Sequence, residues 1–205
     1  KNVVLLHGVT ASGKTEIYTH LINDVLRQGK QVLLLVPEIA LTTQLTMRLK
    51  SIFGEALGVY HSKYSEAERV ETWQNLLSRE SRQIIIGTRT ALFLPFDNLG
   101  LVIVDEEHDA SYKQSDTGPR YHARNAALML ASQFNAKALI GSATPAVESY
   151  CNALNGKFGL VELSTRYTHI PQPSIITVDL TETYHKKQMT GHFSDFLVAK
   201  MGEAR

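Results

Sequence analysis

The chain has 205 residues, 43% hydrophobic and 8% aromatic, which is enough apolar material for one medium domain with a full core and argues against disorder. Its 21 Lys and Arg against 20 Asp and Glu leave a net charge of +1, so no global field favours a polyanionic partner and any such contact must come from local residues. The lone Cys151 excludes an internal disulfide and a CxxC zinc site, and no apolar run nears the roughly 20 residues of a membrane span, so we expect a cytoplasmic protein with no membrane partner.

In chain order, Val3–Leu6 reads as a strand, and the stripe Ile17, Leu21, Ile22, Val25 and Leu26 as the buried face of a helix. Val32–Val36, Ile84–Ile86, Leu101–Val104 and Ala138–Ile140 are further Val, Ile and Leu runs of the kind buried on both faces. A second stripe, Ala123, Ala126, Ala127, Leu130 and Phe134, lies before the last of these. Strands alternating with helices predict an α/β fold with a mainly parallel central sheet flanked by helices on both faces. Ligands of such sheets bind at the carboxyl ends of the strands. After position 163 turn residues and prolines take over, with one short β-like run at Ile175–Val178 and a helix over Ser194–Met201 capped by Ser194. We therefore expect a nucleotide-binding lobe over 1–163 and a connector over 164–205. Lys1 abuts the first strand and "MGEAR" stops without a helix-ending signal, so we expect a piece of a longer protein.

Between the first strand and the first helix stands GVTASGKT, residues 8–15, which matches G-x-x-x-x-G-K-[ST] in the context that motif requires. Gly8, Val9, Thr10, Ala11, Ser12 and Gly13 would curl so that successive N–H groups point at one anion, aided by the helix N-terminus. Lys14 would reach the β and γ phosphates of ATP, and the Thr15 hydroxyl would ligate Mg2+. LVIVDEEH, residues 101–108, adds a buried strand ending in acids at the same edge. Asp105 is suited to hold Mg2+ through its water shell, and Glu106 to orient and deprotonate the attacking water. Taken alone, the acids could equally cap a helix or form a solvated turn; beside the phosphate motif the catalytic reading prevails.

The order of motifs resembles the first RecA-like lobe of superfamily 2 helicases, and within them the primosomal replication-restart helicases. The stretches that carry the resemblance are GVTASGKTEIY (8–18), VPEIALTTQ (36–44), YHSKYSEAERVETW (60–73), IGTRTALFLPFDNLGLVIVDEEHDASYKQ (86–114), PRYHARNAA (119–127) and GSATPAVES (141–149). It implies a P-loop NTPase fold of the DEAH box type. It also implies that Thr42, Thr43, Gln44, Thr88 and Arg89 contact a strand's phosphates without reading bases. By residue type alone, Thr and Gln at a helix start are equally at home as caps.

The segment 110–124, with Tyr112, Lys113, Arg120, Tyr121 and Arg124, resembles the aromatic-rich loop that couples DNA contact to the ATPase site. The alternative is a surface loop with half-buried tyrosines. His108, Ser142 and Thr144 resemble the relay between nucleotide and DNA, although Ser142 or Thr144 could also cap the following helix. His61 and Trp73 match family positions without an assigned role, and a core place for Trp73 is at least as good a reading. Ala11 stands where many relatives have Gly, a departure expected to tighten the loop only slightly.

For the parent protein the resemblance implies an ATP-driven 3′ to 5′ DNA helicase in replication restart at stalled forks. The implied partners are single-stranded and forked DNA, the primosome and single-strand-binding proteins. Zinc is implied in the parent and not in this chain. The second lobe, which would donate an arginine to the γ-phosphate, lies outside these motifs, so hydrolysis by this chain alone is expected to be close to undetectable. Two other readings of the phosphate motif remain open at this level: a P-loop enzyme phosphorylating a small molecule, and a DNA- or protein-binding module with a relic nucleotide site. No lid-like insertion between Gly118 and Pro145 supports the first, and intact Lys14, Thr15, Asp105 and Glu106 speak against the second.

Overall fold

The computed structural model describes residues 1–37, 44–61, 64–78, 83–115, 118–167 and 174–203. These divide into two compact units, Lys1–Ile170 and Pro171–Arg205.

The first unit follows from the apolar runs. β1 (Val3–Gly8), β2 (Gln31–Leu35), β3 (Leu57–Tyr60), β4 (Ile84–Gly87), β5 (Leu99–Val104), β6 (Lys137–Ser142) and β7 (Gly159–Leu163) form a seven-stranded sheet in the order β3-β4-β2-β5-β6-β1-β7. Every pairing in it is parallel. Side chains alternate between its faces with the period of two that a pleated strand imposes. Leu5, Leu33, Leu35, Ile85, Val102 and Val104 pack toward α3 (Glu66–Ser78), α4 (Ala123–Gln133) and α5 (Val147–Leu154). Leu6, Val32, Leu34, Ile86 and Ile103 pack toward α1 (Lys14–Arg27) and α2 (Gln44–Phe53). Both faces are covered, which is why these strands read as continuous hydrophobic runs rather than alternating ones.

All five expected strands form: β2 is shifted by one residue toward the N-terminus, and the other four are extended by one to three residues. The expectation omitted β3 and β7, whose sequences LGVY and GLVEL carry Gly or Glu and lie at the two edges of the sheet, where burial is incomplete. The register puts His7 of β1 beside Ser142 of β6 and Val104 of β5 beside Ile140 of β6. It also sets Leu35 of β2 between Val104 and Gly87. The carboxyl ends of five strands therefore finish along one edge, and the motif residues follow them directly.

The second unit holds α6 (Leu180–His185), a short antiparallel ribbon of β8 (Met189–Thr190) and β9 (Phe193–Ser194), and α7 (Asp195–Glu203). Asp179 caps α6 by accepting from the N–H groups of Thr181 and Glu182 at 2.8 and 3.2 Å. Ser194 caps α7 by accepting from the Leu197 N–H at 3.3 Å, as its sequence suggests. The β-like run Ile175–Val178 is not a strand: it has no pairing partner among the described residues, and Ile175 is 92% exposed. Strand propensity without a neighbouring strand to bond does not make a sheet.

Candidate functional site

Residues 10–15 line a cavity of about 720 Å³ at the carboxyl edge of the sheet, whose wall also includes Glu16, Arg48, Glu106 and Tyr167. The loop leaves β1 by a turn in which the Ser12 N–H donates to the Val9 carbonyl at 3.1 Å. It enters α1 through Gly13 at φ 92°. Gly8 has to be glycine, because a Cβ there would come within 2.7 Å of Ser12 Oγ and 3.1 Å of Lys14 Cγ. Ala11 sits at φ 62°, in the left-handed region that L-residues avoid by about 1 to 2 kcal/mol. The sequence expectation is corrected there, since Ala in place of Gly adds strain to the loop and does more than restrict it.

Lys14 Nζ donates to the Gly8 carbonyl at 2.8 Å and lies 3.7 Å from Glu106 Oε1. The two sequence motifs, separated by about ninety residues, thus meet across the cavity. Thr15 lines it one residue further into α1. Ser12 Oγ is buried and has no hydrogen-bond partner among the described residues. An orphaned hydroxyl, a lysine and curled backbone N–H groups around one space fit a polyphosphate. Mg2+ takes few protein ligands and completes its shell with water and phosphate oxygens; Thr15 lines the cavity, and Asp105, which does not line it, follows β5 at the same edge of the sheet.

Asp105 continues the β5 ladder, its N–H donating to the Leu35 carbonyl at 2.9 Å. Two buried tyrosines hold it, neither with a role in the sequence reading as a support for this acid. Tyr18 of α1 donates to Asp105 Oδ1 at 2.8 Å, and Tyr112 donates to the Asp105 carbonyl at 2.6 Å. Burial lifts the Asp105 carboxyl above the usual carboxylate range; the Tyr18 hydrogen bond pulls it down and the Glu106 charge pushes it up. Burial, reinforced by the Asp105 charge, raises both tyrosines well above their ordinary value, so both remain protonated donors. Room for Tyr18 exists because residue 141 is glycine, where an added Cβ would overlap the Tyr18 hydroxyl.

Glu106 stands at φ 46° in the turn after Asp105, closed by the Asp109 N–H donating to the Glu106 carbonyl at 2.8 Å. Its other oxygen lies 3.6 Å from His108 Nδ1. That ring nitrogen is 2.7 Å from Ser142 Oγ, and the second is 3.3 Å from Thr144 Oγ1. Ser142 Oγ in turn accepts from the Thr144 N–H at 2.9 Å. Lys14, Glu106, His108, Ser142 and Thr144 therefore form one connected polar chain. Glu107, which the sequence reading passed over, points the opposite way and is fully buried on Arg124, Ser149 and the Ala146 N–H.

The expected DNA-contacting residues divide sharply. Lys113 and Arg120 are exposed, and Gln44 is exposed at the start of α2. Thr42 and Thr43 lie outside the described residues. Arg89 donates to the Ser111 carbonyl at 3.0 Å, tying the turn after β4 to the segment 110–122. Tyr121 is part-buried, edge-on to the exposed Phe93 at 5.4 Å.

Four expectations, three of direct strand contact and one of core burial, are corrected. Tyr112 is 1% exposed and offers no stacking face; it serves Asp105 instead. Arg124 is buried, its guanidinium 2.7 Å from Glu107, so it cannot meet a strand directly. Thr88 is 2% exposed, with its hydroxyl against Thr90, and is no surface donor. Trp73 is 43% exposed on α3 and is not a core residue.

Residues 1–152 match the DEAD/DEAH box helicase family. The chain belongs to that family. Membership implies use of ATP and Mg2+ at this edge of the sheet, and the donor set above suits both. Within the helicases, the chain is 46% identical over 201 residues to replication restart protein PriA of Chlamydia pneumoniae, covering 97% of this chain and 26% of that protein. It is 52% identical over 165 residues to PriA of Haemophilus influenzae, covering 80% and 22%. The chain thus spans about a quarter of the length of the curated relatives it matches. The helicase Lhr of Mycobacterium smegmatis, solved with single-stranded DNA and AMP-PNP, shares the fold at a TM-score of 0.58 and 22% identity over 78% of this chain and 23% of Lhr. Among the described residues no helix is long and apolar enough to cross a membrane.

Proposed function

We propose that this chain is the nucleotide-binding lobe of an ATP-driven 3′ to 5′ DNA helicase that acts in replication restart at stalled forks. The single observation that carries the reading is the 3.7 Å approach of Lys14 to Glu106, with His108 continuing from Glu106 to Ser142. A phosphate-gripping cation and an acid meet there, and a polar relay leads away from them.

When bound, Mg-ATP supplies the phosphoryl group to be transferred and a metal charge that stabilises the transferring oxygens. Residues 8–13 would hold the phosphates by backbone N–H groups, with Ser12 Oγ as a further donor. Lys14 would give a phosphate oxygen its charge, and Thr15 and Asp105 would hold the metal, Asp105 being kept in one orientation by Tyr18. Glu106 would orient a water for in-line attack and accept its proton. His108, Ser142 and Thr144 connect that event to residues that meet the strand. On the strand side the reading assigns Lys113, Arg120, Tyr121, Arg89 and Gln44, with Thr42 and Thr43 added by resemblance. The PriA relatives support replication restart, and the Lhr complex supports single-stranded DNA as the polymer. Primosome and single-strand-binding proteins are the partners proposed for the parent.

The test is ATP turnover by the full-length parent with and without single-stranded DNA, beside Lys14→Ala. We expect strong DNA stimulation in the wild type and a loss of about 100- to 1,000-fold in the variant, the size of effect of removing one charge-stabilising donor. Turnover indifferent to DNA would end the helicase reading in favour of small-molecule phosphoryl transfer. Displacement assays on partial duplexes with a 3′ or a 5′ tail test the polarity.

A further inference from the structure

We propose that Glu107 is the positioning residue through which the segment 110–124 acts on Glu106 and His108. The inference rests on the DNA-dependent ATPase reading above. Glu107 is 0% exposed, yet its carboxylate makes no contact with the nucleotide cavity. One oxygen accepts from Arg124 Nη1 at 2.7 Å and from Ser149 Oγ at 2.8 Å. The other accepts from the Ala146 N–H at 2.7 Å, and the Glu107 N–H itself donates to the Gly141 carbonyl at 3.1 Å. These partners come from the first turn of α4, the turn after β6, the first turn of α5 and the body of β6. One buried residue thus ties the acidic turn to the segments that carry Arg124, Ser142 and Thr144.

Stability is a poor reason for such a pair. Desolvating two charges costs several kcal/mol, and well-packed apolar residues of similar volume often serve a fold as well or better. Register is the better-attested use of a buried ion pair, and this one sits where register matters. In a tight turn, fixing Glu107 inward leaves Glu106 and His108, its immediate neighbours, turned toward each other at 3.6 Å. Neither can shift without the Glu107 anchor shifting.

The route from the strand is equally short. Lys113 and Arg120 are exposed on an arm closed by the Gln114 N–H donating to the Tyr121 carbonyl at 2.9 Å and by the pairing of Lys113 with His122. Arg124 is the second residue of α4, two positions after His122 of that pairing. A strand that pulls on the arm therefore pulls on Arg124, and Arg124 bears on Glu107. Tyr112, in the same arm, bears on the Asp105 carbonyl from the other side.

The experiment uses the full-length parent and the variants Glu107→Gln, Ser149→Ala and the double variant Glu107→Gln with Arg124→Met. Three quantities are read: the ratio of ATP turnover with saturating single-stranded DNA to turnover without it, the binding midpoint of a fluorescein-labelled oligonucleotide by anisotropy, and the melting temperature. We expect oligonucleotide midpoints within about twofold of wild type, because the exposed arm is intact, and a stimulation ratio lowered about tenfold in Glu107→Gln, within the usual range of site-to-site coupling. Ser149→Ala lowers the ratio less. The double variant removes the unpaired buried charge and recovers melting temperature without recovering the ratio. A ratio that returns together with stability in the double variant makes Glu107 a purely structural residue and overturns the proposal. So does a wild-type ratio in a folded Glu107→Gln. An unmodified parent that DNA does not stimulate overturns the helicase reading and this inference with it; a stimulated parent with equally stimulated variants overturns this inference alone.

Discussion

The phosphate loop and the acidic turn face each other across one cavity, but different kinds of bond hold them. Residues 8–15 are shaped by their own backbone: the turn from Val9 to Ser12, left-handed Ala11 and Gly13, and the Tyr167 N–H donating to the Ala11 carbonyl at 2.9 Å. Residues 105–108 are shaped by side chains from elsewhere in the chain, with Tyr18, Tyr112, Arg124, Ser142 and Ser149 each fixing one of them. The first region needs small residues at set spacing to keep its shape. The second needs buried polar partners to be fully satisfied, since a half-satisfied buried network costs more than none. Damage to the loop is therefore felt mainly by the nucleotide, whereas damage under the acidic turn is felt by the whole fold.

The largest test of that contrast is Glu107→Ala. It strands the Arg124 guanidinium in the interior, and we expect a loss of about 3 to 5 kcal/mol in urea unfolding, as for other broken buried pairs. A loss no greater than that of an ordinary surface substitution would mean that the acidic turn, like the loop, holds itself. Next is Gly141→Ala, whose Cβ must displace the Tyr18 hydroxyl from Asp105. Overpacking of this kind costs about 1 to 3 kcal/mol, and here it should also weaken binding of a fluorescent ATP analogue in the presence of Mg2+. An unchanged nucleotide affinity would show that Tyr18 does not position Asp105. The smallest effect belongs to the loop. Ala11→Gly removes about 1 to 2 kcal/mol of left-handed strain but frees the unfolded chain by about 0.4 to 1 kcal/mol, so the melting curve should move toward stability by the equivalent of no more than about 1.5 kcal/mol. A large stabilisation would mean that Ala11 stores more strain than its φ of 62° implies.

The same contrast explains what could be read in advance. The strands β1, β2, β4, β5 and β6 were legible because burial on both faces leaves an uninterrupted apolar run. The edge strands β3 and β7 were not, because incomplete burial lets Gly and Glu into them. In the site, residues 8–15, Asp105 and Glu106 announce themselves by spacing. Tyr112 and Arg124 announced themselves wrongly: an aromatic and a cation in a polar stretch look like a surface for nucleic acid, and only packing reveals that both point inward. Glu107, between two residues of obvious chemistry, carried no signal, since which way a side chain leaves a tight turn depends on the backbone around it. Tyr18 likewise reads as one more helix-face residue until Gly141 is seen to make room for its hydroxyl.

Amino-acid order alone pointed to the parallel sheet and to the meeting of residues 8–15 and the acids at one edge of it, because these rest on local conformation and on apolar periodicity. Folding in three dimensions decided which polar residues of 105–124 meet solvent and which brace the turn from beneath. That choice depends on partners distant in sequence, 42 positions for Ser149 and Glu107 and 87 for Tyr18 and Asp105, and desolvation makes each such pairing all or nothing.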